Sequence, residues 1–254
     1  MEETLRVLVA LAITIFLVIL RFEAEKFGAA EYDEPARDGR AGSFLRRLSW
    51  ILLGSSFVGA LIFVHPDAAA DLGITLGDRG RALLLGFGFG ALGTLQAAAY
   101  ALQRYQGIRL PPPWTYPGAV LNGIGTAFLD EATFRGAVLG LLLLSGVDPG
   151  IAIVIQAFLY TLATRTGAPG RGRYMFGLSL VGGLVAGWLT VTTGAIGAAF
   201  LAHAITRISV FVCTGHAGRP ALRGQEIEDT WEYRAAPRGW RPIDRPDDDG
   251  PAGP

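Results

Sequence analysis

The chain has 254 residues, of which 51% are hydrophobic, 17% charged and 35 glycine, and its net charge is zero. The apolar residues fall in runs of about 16 to 25 with few charges, the length that crosses a bilayer, which argues against a soluble globule, disorder, collagen and a coiled coil. A neutral chain has no basic footprint for nucleic acid. Its single cysteine, Cys213, excludes an internal disulfide and a cysteine-built zinc site.

Seven spans are read in chain order, at about 5–21, 48–64, 82–103, 117–144, 150–164, 174–191 and 194–213. The start, Met1-Glu2-Glu3, lacks a basic region and no small-residue cleavage site follows Leu20, so span one is not read as a removable signal peptide. His65 and His216 sit at span ends, where a solvated ring is expected. Gly86-Phe87-Gly88-Phe89-Gly90 lies inside span three, with no strand before it and no Lys after it. It reads as helix packing and not as a phosphate loop. Pro111-Pro112-Pro113-Trp114 is a stiff turn into span four, with Trp114 at the interface. Span four is long and contains glycine, so it is expected to tilt, kink or break. Gly177, Gly182, Gly183 and Gly187 on span six read as small-residue packing. From residue 214 the chain is a polar tail, expected to be disordered unless a partner orders it. Trp231, Tyr233 and Trp240 are its anchors for a membrane surface or a partner. The domains are thus a transmembrane helical domain, 1–213, and a cytoplasmic tail, 214–254.

With the N-terminus outside, the cytoplasmic segments hold 17 Lys and Arg residues and the outer ones 3. The positive-inside rule then places the N-terminus out and the C-terminus in, in a plasma (inner) membrane.

Charges inside a span cost roughly 2.5–3.5 kcal/mol each at its centre, so they mark a site. Five ionisable side chains are read there: Asp130, Glu131 and Arg135 on span four, and His203 and Arg207 on span seven. Two helices hold them all, which predicts that these helices face each other. Glu131 and Arg135 are i, i+4, as are His203 and Arg207, and Asn122, Thr126 and Asp130 draw a polar stripe down span four. Two acids and two arginines sum to zero, which suits buried charge.

Asp130-Glu131-Ala132-Thr133-Phe134-Arg135-Gly136 resembles the Glu-Glu-x-x-x-Arg motif, usually followed by Gly, of the CPBP (CAAX-protease and bacteriocin-processing, or Abi) family of intramembrane endopeptidases. Tyr160 to Thr164 stands where that family has Phe-x-x-x-His, and His203 to Arg207 where it has His-x-x-x-Asn. The resemblance covers about 118–210. It implies a CPBP-like core within an all-α, polytopic membrane bundle of about seven transmembrane helices. It also implies that the first acid, Asp130, activates water with help from His203, and that Glu131 and Arg135 are structural partners.

The sequence departs from the pattern at three places. Asp130 is one methylene shorter than Glu, Thr164 substitutes the first family His, and Arg207 replaces the Asn. A general base needs groups that tune and orient it. An arginine beside the carboxylates would hold them ionised and less basic. The expectation is a degenerate, non-proteolytic member in which Glu131, Arg135 and Arg207 form a structural clamp. It would act as a binding, assembly or structural subunit for other membrane proteins or a membrane complex in the lipid bilayer. The enzyme reading keeps Asp130, Glu131 and His203 as catalytic residues of an active CPBP-type endopeptidase. A third reading makes His203 an axial ligand for a haem or other tetrapyrrole, since small residues before it let a flat body approach. No metal site is read, because one His and arginine-locked carboxylates do not make three ligands, and no cofactor is otherwise called for.

Overall fold

The computed structural model describes residues 2–27, 39–65, 67–108, 110–111, 116–166 and 173–214. Apart from Thr214, the tail lies outside the described residues, with His216, Trp231, Tyr233 and Trp240, and so does Trp114. In chain order the elements are α1 (Glu2–Phe22), a 3-10 turn (Ala24–Phe27), α2 (Gly39–Val64), the one-turn α3 (Ala68–Asp71) and α4 (Arg79–Tyr105). Next come α5 (Tyr116–Asp130), a π-helical segment (Glu131–Val138), α6 (Leu139–Leu144), α7 (Pro149–Thr166), α8 (Arg173–Thr193) and α9 (Gly197–Thr214). Among the described residues every regular element is helical, and each expected span is there. Thr4–Phe22, Phe44–Val64, Arg79–Gln103, Phe176–Thr193 and Gly197–Thr214 are each long and apolar enough to cross a membrane, and Pro149–Thr164 is a shorter apolar helix.

The apolar side chains are arranged inside out. Helices α1, α2, α4, α7 and α8 all present large exposed hydrophobics, such as Leu8, Phe63, Leu84, Phe158 and Val181. In water this belt would aggregate. Against lipid it is the expected outer surface, because helices satisfy their own backbone groups there. The chain is an integral membrane protein. Helix α9 has no large exposed hydrophobic and packs on α4, α5 and α8, so it is the central post.

The expected break in span four takes the form of a change in helix type. Between α5 and α6 the backbone widens into a π-helix, and Leu139 N–H donates to the Phe134 carbonyl five residues back. Such segments often occur at functional sites, and this one begins at Glu131. Gly136 and Gly140 let a connection come close. A methyl group at Gly136 would lie 2.9 Å from Ile74 Cγ1, and one at Gly140 2.9 Å from the Asp71 carbonyl and Leu72 Cα. The stretch after α3 therefore rests on this face, with Leu72 only 1% exposed. It also joins the α8–α9 turn, where Ile196 N–H donates to the Gly73 carbonyl at 2.9 Å.

Helices α4 and α9 meet along glycine, as expected, but in a different register from the Gly-Phe-Gly-Phe-Gly run. Gly86, Gly90 and Gly93 face Leu201, Ile205 and Thr206, whereas Gly88 faces open space. The working spacing is four and three residues, one helix face; a two-residue spacing would put Gly88 on the opposite side. On α8, Gly183 and Gly187 likewise meet Ala157 and Gln156 of α7, while Gly177 and Gly182 meet nothing. His65 is a correction: it is buried, with Nδ1 3.7 Å from Asp71 Oδ2, because α3 folds back over the end of α2.

Candidate functional site

Glu131 sits at the middle of the Tyr116–Leu144 helical run and is fully buried. The polar stripe read down α5 does face inward. Asn122, Thr126 and Asp130 are all buried, and Thr126 Oγ1 donates to Asn122 Oδ1 at 3.2 Å. Neighbouring residues on a helix point about 100° apart, and the two adjacent acids take different partners as a result.

Glu131 points to α9. His203 Nδ1 lies 2.8 Å from Glu131 Oε1, which is also 3.2 Å from Arg135 Nη1. Asp130 points the other way, to α1. Arg21 Nε donates to Asp130 Oδ1 at 2.6 Å and Arg21 Nη2 to Oδ2 at 3.4 Å. Arg21 is 3% exposed and Asp130 fully buried. This two-pronged contact is the strong form of an arginine–carboxylate bond.

Arg21 corrects two expectations. Span one does contain a buried charge, and the intramembrane charges come from three helices, not two. Arg21 reads from sequence as the first cytoplasmic flank of span one. In the fold α1 runs on to Phe22, and Trp50 Nε1 donates to the Leu20 carbonyl at 3.0 Å. That bond holds the end of α1 beside the seventh residue of the Phe44–Val64 membrane segment, roughly 9 Å along it. The neutral sum of two acids and two arginines is replaced by a cluster with a third arginine.

Tyr160 of α7 forms the floor. The Arg135 guanidinium carbon lies 4.3 Å from its ring centroid, a cation–π contact. The Phe134 and His203 rings stand edge-on to it at 5.4 and 6.3 Å. Tyr160 is the aromatic of the Phe-x-x-x-His motif, and its role as a seat for Arg135 was not read from the sequence. Thr164, at the substituted His position, is one turn beyond Tyr160 and 1% exposed, and among the described residues its Oγ1 has no hydrogen-bond partner. Glu131 Oε2 has none either. Helix α7 runs back antiparallel to the π segment through the short Ser145–Asp148 turn, which carries Thr164 toward the Glu131 end.

Arg207, one turn after His203, packs with its Cβ 3.8 Å from where a methyl on Gly123 would lie. Arg21 pairs with Asp130, and Arg135 and His203 pair with Glu131. The site thus brings Asp130, Glu131, Arg135 and His203 together as expected and adds Arg21 and Tyr160. Gln156, fully buried, ties α7 to α8 by donating to the Gly183 carbonyl at 2.9 Å.

The chemistry available is narrow. Asp130 has both oxygens on one guanidinium, so it is poorly placed to take a proton from water. Glu131 and His203 form a carboxylate–imidazole pair, which orients the ring through Nδ1. Among the described residues no three His, Cys, Asp or Glu side chains are grouped to hold a metal ion. A zinc-type set does not fit, since Asp130 is committed to Arg21 and Glu131 Oε1 to His203 and Arg135. For a tetrapyrrole, His203 would need an open face. Its Nδ1 is engaged by Glu131 and its side chain is 15% exposed.

Residues 112–209 match the family model described as type II CAAX prenyl endopeptidase Rce1-like. The CPBP resemblance carried by the three motifs is thereby shown for this segment. Arg21 and the whole of α1 and α2 lie outside it. No curated protein and no solved structure matches the chain.

Proposed function

We propose that this Rce1-like membrane protein is non-proteolytic and uses its inherited site as a clamp between helices, serving as a binding or structural subunit for other membrane proteins. The observation that carries the reading is the buried, two-pronged Arg21–Asp130 pair at 2.6 and 3.4 Å. It neutralises the carboxylate that stands where active relatives are thought to activate water. Thr164 in place of the family's His supports the same reading, since a hydroxyl cannot take over a ring's proton traffic near neutral pH. In this reading the N-terminus is outside, the C-terminus is cytoplasmic, and the tail and the lipid-facing spans make the partner contacts.

The test is native mass. The protein, gently solubilised from its own membranes, is expected to migrate in a larger assembly of fixed stoichiometry. A lone monomer or homodimer that cleaves membrane peptides would overturn the proposal.

One observation favours the peptidase alternative. The Glu131–His203 contact at 2.8 Å, with Glu131 Oε2 unpartnered, is a carboxylate–imidazole pair of the kind a general base needs. In that alternative Glu131, and not Asp130, is the base.

A further inference from the structure

Helix α1 stands outside the family-matched segment, yet its last turn closes the site. Val18 and Phe22 pack on Phe134, Tyr160 and Ala163, and Arg21 reaches Asp130. The helix touches α2 on one side and α7 on the other, with the π segment behind it. It is a cover drawn from outside residues 112–209 that contacts both the acid and the aromatic floor.

The rest of α1 faces lipid to the same extent as α2 and α4. Leu5, Leu8, Leu11, Ile15, Phe16 and Ile19 are 47–62% exposed. Its buried residues are Ala10, Thr14, Leu17, Leu20 and Arg21, of which three are small or polar. Thr14 spends its hydroxyl on its own helix, donating to the Ala10 carbonyl at 2.8 Å. A small cavity lies between α1, α2 and α5, lined by Leu17, Arg21, Trp50, Gly54, Asp130 and Thr133. This cover is tied over the site by the Arg21–Asp130 pair, beside the Trp50–Leu20 bond and a gap in the seam, so it parts from the site only when that pair breaks.

We propose that α1 is a lateral gate latched by the Arg21–Asp130 pair, and that release of the latch opens the Glu131–His203–Tyr160 site to the lipid phase between α2 and α7. In low dielectric the intact pair keeps the gate shut, because parting it leaves two buried charges without compensation. The gate does not depend on whether the site hydrolyses peptide. It is read without substrate, and turnover is measured separately.

The test is thiol labelling in proteoliposomes, in a Cys213→Ser background. Thr164→Cys reports on the site. Ala199→Cys, 1% exposed in the packing group of α4, α8 and α9, reports on the bundle core. With the latch intact, the membrane-permeant N-ethylmaleimide should modify Thr164→Cys at least about tenfold faster than Ala199→Cys, as a sub-global opening requires. A charged maleimide should modify it far more slowly than the permeant one. Arg21→Ala should accelerate the Thr164→Cys reaction at least about tenfold further and leave the control unchanged, with partial restoration by Arg21→Lys. Equal rates at the two positions with the latch intact would overturn the proposal even if Arg21→Ala fails to fold. Equal rates with the charged and permeant reagents would overturn the lateral route.

Discussion

Arg21 and Asp130 are the residues on which the account turns, and their energetics are measurable. Removing either partner leaves the other charged and buried, so Arg21→Ala and Asp130→Ala should each destabilise the protein by about 3–5 kcal/mol. The double variant should cost far less than the sum, with a coupling of about 1–3 kcal/mol in a double-mutant cycle followed by detergent thermal melts. Additive losses would show that the pair is not a unit. Glu131→Ala should be costlier than His203→Ala, because Glu131 answers both His203 and the fully buried Arg135; equal melting points for the two variants would contradict this. Arg21 was legible, though not read. Ala10, Thr14, Leu17 and Arg21 fall at steps of four, three and four, so Arg21 continues the inward stripe of α1. Counting it as a flanking charge hid that periodicity. The direction of Asp130, toward α1 and not α9, was not legible, since no local spacing links residues 109 apart.

At the scale of elements, helix packing is set by where glycine faces. Gly93→Ala would drive a methyl into Thr206 Oγ1 on α9, whereas Gly88→Ala meets open space. The first should destabilise by about 1–3 kcal/mol through overpacking. The second should be neutral or stabilising by up to about 1 kcal/mol, from helix propensity. Reversal of that order in thermal melts would mean that α4 is turned differently on α9. The glycine run was visible as packing, but its register needed the partner helix, because three alternating glycines cannot all share one helical face. The spans themselves were legible from apolar run length. The π segment was not, since nothing in Glu131–Val138 distinguishes it from a helix with one glycine until Leu72 and Ile74 are seen against Gly136.

At the scale of the whole molecule, an apolar belt surrounds a polar centre that, among the described residues, includes the Glu131–His203, Glu131–Arg135 and Arg21–Asp130 pairs. The charge bias of the loops predicts N-out, C-in, so a reporter active only outside the cytoplasm should work at the N-terminus and fail at the C-terminus. The reverse pattern would invert the topology. The family core was legible from three short motifs, and the match to residues 112–209 covers the same stretch. What the site does was less legible, because the cation that occupies Asp130 comes from outside that core. The most direct measurement of the central claim is peptide turnover. The wild-type chain, reconstituted in proteoliposomes with prenylated CAAX peptides and with transmembrane peptides, is followed by mass spectrometry beside Glu131→Gln and His203→Ala. The account predicts that the wild type gives no product above the two variants. Product from the wild type that disappears in both variants, with their folding intact, would contradict it.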